Sequence, residues 1–90
     1  MFTLKYSNRF KKDLKAYKND KDILLELENI LDMLAKGLKI PSKNTNHRLS
    51  GEFKDCFECH IKPDVLLIYK IEKLEITILL LRIDSHSKLF

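Results

Sequence analysis

Glycine and proline are scarce, with two of each in 90 residues, and tryptophan is missing. So little backbone punctuation excludes collagen-like, disordered and loop-dominated chains. Cysteine occurs only twice, at Cys56 and Cys59, too few for a disulfide framework. No apolar run is long: Val65 to Tyr69 and Ile76 to Leu81 fall far short of a membrane helix, which needs about 20 residues. The opening Met1-Phe2-Thr3-Leu4-Lys5-Tyr6 meets polar and charged side chains at once, so no export segment is expected. These absences point to a cytoplasmic protein with no membrane partner, in which a structural disulfide would be out of place. Residues 1–90 are expected to form one domain, burying about two-thirds of its unfolded surface and leaving no large internal cavity.

What is present is charge, and it is clustered. Lys and Arg number 17 against 13 Asp and Glu, a net charge of +4. Arg9, Lys11, Lys12, Lys15 and Lys18 crowd one short segment in which Asp13 is the only acid, and this projects a positive field. The field suits RNA, DNA or an acidic protein, while the plain alternative is a helix face kept basic for solubility.

Phe2, Leu4 and Tyr6 alternate with Thr3 and Lys5, predicting a first strand with its apolar side on the core. Ser7 or Asn8 can cap a short amphipathic helix carrying Phe10, Leu14 and Tyr17. After Asn19 and Asp20 a longer helix follows, with Leu24, Leu27, Ile30, Leu31 and Leu34 as its buried stripe and Gly37 as its end. From Gly37 to Gly51 the chain is polar, so a loop anchored by Leu49 is expected and no regular element. Loops of that length are commonly functional. Three strands are predicted next, Phe53 to Ile61, Val65 to Ile71 and Glu75 to Ile83, forming an antiparallel meander. The last two are apolar on both sides, so helices should cover one face and some other element, a partner chain among the options, part of the other. The fold class is α+β: strand, helix, helix, then a three-strand meander.

Cys56-Phe57-Glu58-Cys59-His60 spells the c-type haem attachment pattern. Strand alternation sends the two thiols to opposite faces, and a closed zinc site needs more ligands than Cys59 and its neighbours supply. Buried strand cysteines are the reading adopted, with no cofactor and no metal.

The three histidines, His47, His60 and His86, all lie outside the helical pair. In a meander, the end of one strand and the loop feeding it can approach the end of the last, bringing the imidazoles and Asp64 to one rim. Alternation puts Glu58 and His60 on one face and Phe57, Cys59 and Ile61 on the other. Arg82, in a strand otherwise made of Ile and Leu, requires an anion or a partner carboxylate. Paired histidines serve as base and acid near neutral pH, and RNA supplies its own 2′-OH nucleophile. Each residue also has an ordinary reading: His47 as a loop staple, His60 and Glu58 as a polar strand pair, Asp64 as a turn residue after Pro63, and Phe90 as an end packed back on the domain.

Three stretches resemble the YafQ group within the RelE/ParE superfamily of bacterial toxins. They are His47-Arg48-Leu49-Ser50-Gly51, Glu58-Cys59-His60-Ile61-Lys62-Pro63-Asp64 followed by Leu66-Leu67-Ile68-Tyr69, and Arg82-Ile83-Asp84-Ser85-His86-Ser87-Lys88-Leu89-Phe90. The resemblance implies a RelE-like fold and an endoribonuclease that cuts mRNA, often on the ribosome, and arrests growth. It also implies an acidic antitoxin partner, with operator DNA reached only through the antitoxin complex. Carried over by position, His86 is the leading acid or base, with His47, His60 and Asp64 beside it. Glu58 and Arg82 complete the polar surface, Phe90 stacks on a base, and Lys54 and Lys62 flank it as RNA contacts.

Four positions depart from that pattern. Cys56 and Phe57 stand where relatives have an aromatic residue and Arg, which implies one positive charge fewer in the site. Asp84 replaces a Gly; its charge would favour a protonated His86 and oppose phosphate. Asn46 replaces an acid before His47. Two other readings of the same fold are a protein-binding toxin without catalysis, like the gyrase poisons, and a degenerate domain that binds only antitoxin and operator DNA.

Overall fold

The computed structural model describes residues 1–41, 44, 47–49 and 55–90, with residues 47 and 48 described by their backbone. The elements run β1 (Thr3–Tyr6), α1 (Asn8–Lys15), α2 (Lys21–Lys36), β2 (His47–Arg48), β3 (Phe57–Lys62), β4 (Val65–Glu72), β5 (Thr77–Ser85) and α3 (His86–Leu89). They build one mixed sheet in the order β1-β5-β4-β3-β2, with β1 parallel to β5 and the other pairs antiparallel. The meander expected from sequence is β3-β4-β5. The α+β class stands, with a two-residue β2 and a short α3 added to it.

Local chemistry sets each boundary. The Ser7 hydroxyl accepts from the Phe10 N–H at 3.0 Å, capping α1, and donates to the Leu81 carbonyl, tying that cap to β5. Asp20 caps α2 by accepting from the Ile23 N–H at 3.1 Å. Gly37 closes α2 at φ 73°, a left-handed conformation, and its N–H donates to the Leu34 carbonyl. The buried face of α2 is Ile23, Leu27, Ile30 and Leu34, whereas Leu24 and Leu31 are only half-buried. The expected stripe and the observed face share Leu27, Ile30 and Leu34, with Ile23 buried in addition.

The other differences are also physical. Tyr6 is exposed because β1 ends there, at the sheet edge. The segment expected to be irregular contains β2, held by pairing His47 to Glu58 and Arg48 to Phe57. Asn44 staples the approach to β2: its side-chain amide donates to the His60 carbonyl at 2.7 Å and to Glu26 at 3.3 Å. The first meander strand begins at Phe57 rather than Phe53, which lies outside the described residues.

The core has two layers. Phe10, Ile23, Leu27, Ile30 and Leu34 pack with Cys59, Leu67, Tyr69, Ile78, Leu80 and Ile83 under the helices. On the opposite face Leu66 and Ile68 pack with Cys56 and with Leu89 of α3. Val65 to Tyr69 are buried throughout, so this stretch of β4 is covered within the chain, while Leu79 and Leu81 of β5 are half-buried. The thiols fall in separate layers, on opposite faces, as alternation predicts.

Ile76, in the turn between β4 and β5, sits at φ 50°, a region that costs a β-branched residue more than 1 kcal/mol by the usual ~1–2 kcal/mol scale. Its side chain is exposed, so little packing is at stake. Ile76→Gly is expected to raise the unfolding free energy by about 1 kcal/mol in urea titrations.

Candidate active site

Directly paired residues in a sheet project to the same face. The register therefore aligns His47, Glu58, Ile68 and Arg82 across four strands, and His60, Leu66 and Asp84 in the next row. Arg82 joins this face through a bulge. Tyr69 pairs with Leu80 and Ile68 with Arg82, so Leu81 is the extra residue. Without it, plain alternation would send Arg82 to the helix side with Leu80. Two interstrand spacings, about 10 Å, separate the His60 and Asp84 backbones, over a floor formed by Leu66 and capped by Leu89.

Immediately beyond β5 the chain turns into α3. The His86 N–H donates to the Asp64 carbonyl at 3.1 Å, which joins the Pro63–Asp64 turn to the start of that helix. Leu89 anchors α3, while His86 and Phe90 remain exposed with their ring centroids 5.2 Å apart. Glu58, His60 and Arg82 are half-buried; Lys62 and Asp64 are exposed. Five of the six residues expected to carry the chemistry, His60, His86, Asp64, Glu58 and Arg82, thus belong to this face and its adjoining rim, and none of the five is sealed in the core. His47 joins them by backbone register; its side chain and Lys54 lie outside the described residues.

The sequence called for an anion or a partner carboxylate at Arg82, and the structure supplies the carboxylate, from a residue that sequence reasoning did not name as its partner. The Arg82 guanidinium meets the Asp13 carboxylate of α1 at 2.7 Å, with the Asp84 carboxylate 3.9 Å away. Asp84 in turn accepts from the Tyr17 hydroxyl at 3.1 Å and from the Ser85 N–H at 2.8 Å. The charge feared at this position is therefore already hydrogen-bonded and faces a cation. Phe57 stacks on Tyr69 in the helix-covered layer, with centroids 5.6 Å apart. The Phe57 ring therefore packs on the face opposite Glu58 and His60.

A family model for the bacterial toxin of type II toxin-antitoxin systems, YafQ, matches residues 2–90. The chain belongs to the YafQ toxin family. The mRNA interferase toxin YafQ of Escherichia coli strain K12 is 34% identical over 92 residues, covering 97% of this chain and 94% of that protein. A crystal structure of a metal-bound toxin from Helicobacter pylori superposes with a TM-score of 0.91 and 42% identity, over 100% of both chains. The toxin chain of the E. coli DinJ-YafQ complex does so at 0.87 and 26%, covering 100% of this chain and 99% of that one.

In this YafQ-family chain, burial, the hydrogen bond to Asp84, and the charges of Asp84, Asp64 and Asp13 push the Tyr17 phenol up to about 12. Burial, helped by the charge of Glu26, also pushes the Cys59 thiol up to about 12. Both groups stay neutral in the fold after the unfolded chain would ionise. Their contribution to stability is complete below about pH 9 and is lost as pH rises toward about 12. Urea midpoints should therefore fall across that window, and Tyr17→Phe should remove the upper part of the fall. A flat profile would contradict the assignment.

Proposed function

We propose that this YafQ-family chain is an endoribonuclease toxin that cuts mRNA in the cytoplasm through the face holding His60, Glu58, Arg82 and His86. The observation that carries the reading is the shared face: two histidines, one guanidinium and two carboxylates, drawn from β3, β5, α3 and the β3–β4 turn. One imidazole takes the proton from a ribose 2′-OH, and the oxygen attacks the adjacent phosphorus. Arg82 stabilises the charge on the pentacoordinate phosphate, and a second acid protonates the departing 5′ oxygen. The products are a 2′,3′-cyclic phosphate and a 5′-OH. Asp64 holds His86 through the backbone, Lys62 draws the RNA strand, and exposed Phe90 offers a stacking surface for a base.

The H. pylori relative is described as metal-bound. The chemistry proposed for this chain takes its base, its acid and its charge stabilisation from protein side chains. Cleavage of purified mRNA by this chain is expected to persist at the same rate in excess EDTA; loss under chelation would reject the proposed chemistry. Growth arrest with transcripts left intact would instead favour a toxin that acts on a protein target.

The E. coli relative was crystallised with DinJ. An acidic antitoxin is the corresponding partner proposed for this chain, meeting the exposed cations of α1 and the turn after it, Arg9, Lys11, Lys12, Lys15 and Lys18. The notional second contact, the sheet face opposite the helices, carries half-buried Leu81 beside the Leu66, Ile68 and Leu89 cluster.

A further inference from the structure

The chemistry proposed above depends on where Arg82 points, and the residue that grips it lies 69 positions earlier in the chain. Arg82 Nε donates to Asp13 Oδ2 at 2.7 Å, and Nη2 to Oδ1 at 3.3 Å. This two-point, side-on pairing fixes both the plane and the direction of the guanidinium. The same carboxylate accepts from the Ile83 N–H at 3.2 Å and from Arg9 Nε at 3.4 Å. Its side chain is only 5% exposed, against 18% for Arg82.

The placement follows from the sheet edge. Pairing of β1 with β5 ends at Tyr6 and Leu80, and the Ser7 N–H takes the Leu80 carbonyl. Past that point the Asp13 side chain takes the Ile83 N–H where a longer β1 would have offered its backbone. Helix α1 is thus fastened to β5 at the level where Arg82 leaves the strand. This also accounts for the single acid in a segment otherwise rich in Lys and Arg.

We infer that Asp13 is a positioning residue, holding Arg82 in the orientation that meets the scissile phosphate; the inference rests on the nuclease reading above. Charge and orientation make opposite demands here. A carboxylate beside Arg82 weakens its pull on phosphate, so electrostatics alone predicts that removing the charge tightens RNA binding and leaves turnover intact. Orientation predicts that turnover falls.

The test measures kcat and KM of the full chain on a short RNA for Asp13→Asn, Arg82→Lys and the double variant. Asp13→Asn is expected to lower kcat by about 10–100-fold with KM unchanged or reduced. In the Arg82→Lys background, where no fork remains to be oriented, the same change should lower kcat by less than about threefold, because coupled residues do not contribute independently. Asp13→Glu keeps the charge but shifts it by one methylene, and it should also lower kcat with KM unchanged; it serves as the test if the Asn variant fails to fold. Equal losses in both backgrounds, or wild-type kcat in the Asn and Glu variants, would overturn the inference while leaving the nuclease reading in place. Absence of cleavage by the unmodified chain would overturn the nuclease reading and the inference with it.

Discussion

His86→Ala is expected to slow RNA cleavage by about 10²–10⁴-fold, the usual contribution of one acid or base, without disturbing the fold. His86 is exposed at the start of α3, and its described ring contact is with Phe90, itself 55% exposed. The tie from its N–H to Asp64 is a backbone bond that alanine keeps, and Leu89 still anchors the helix. Substitutions at such positions usually change stability by no more than about 0.5 kcal/mol. Cleavage rates on a defined transcript, measured beside thermal unfolding, separate the two effects. A variant that cuts at the wild-type rate would remove His86 from the chemistry.

Phe10→Ala is expected to cost about 3–5 kcal/mol, as removal of a buried Phe does, out of a total stability on the order of 5–15 kcal/mol. Phe10 is 1% exposed, and it and Asp13 are the buried residues of α1. A helix of 8 residues has little stability of its own, so its place against β5 depends on that ring and on the Asp13 carboxylate. Loosening the ring should therefore also loosen Asp13 from Arg82, and cleavage should fall along with stability. Phe10→Leu, which conserves most of the volume, should cost less than about 1.5 kcal/mol. Urea unfolding measures both; an alanine cost below about 1 kcal/mol would show that α1 is held by something else.

The parts of this fold legible in the sequence are those written in short-range patterns. Ser7, Asp20 and Gly37 mark helix ends by their own hydrogen bonds and backbone conformation. Alternation in β3 correctly parted Glu58 and His60 from Cys59 and Ile61. Long-range contacts were not legible. The Leu81 bulge reverses the side on which Arg82 emerges, and no local pattern announces it. Asp13 was visible as the sole acid of a basic segment, but its partner comes from the far end of the chain. The coverage of Leu66 and Ile68 depends on four residues of α3 folding back, which the polar Ser85-His86-Ser87-Lys88 stretch does not suggest by composition. The joint placement of His60, Arg82 and His86 was reached by family resemblance and topology together, since each residue alone also has an ordinary structural explanation.

The chemistry of the cut ends tests attack by the 2′-OH most directly. RNA cleaved by the purified chain in EDTA should carry a 2′,3′-cyclic phosphate on one fragment and a 5′-OH on the other by mass spectrometry, and an oligonucleotide with a single 2′-deoxyribose at the cleaved position should stay whole. Fragments ending in 3′-OH and 5′-phosphate, or scission at the deoxy position, would show that the nucleophile comes from elsewhere.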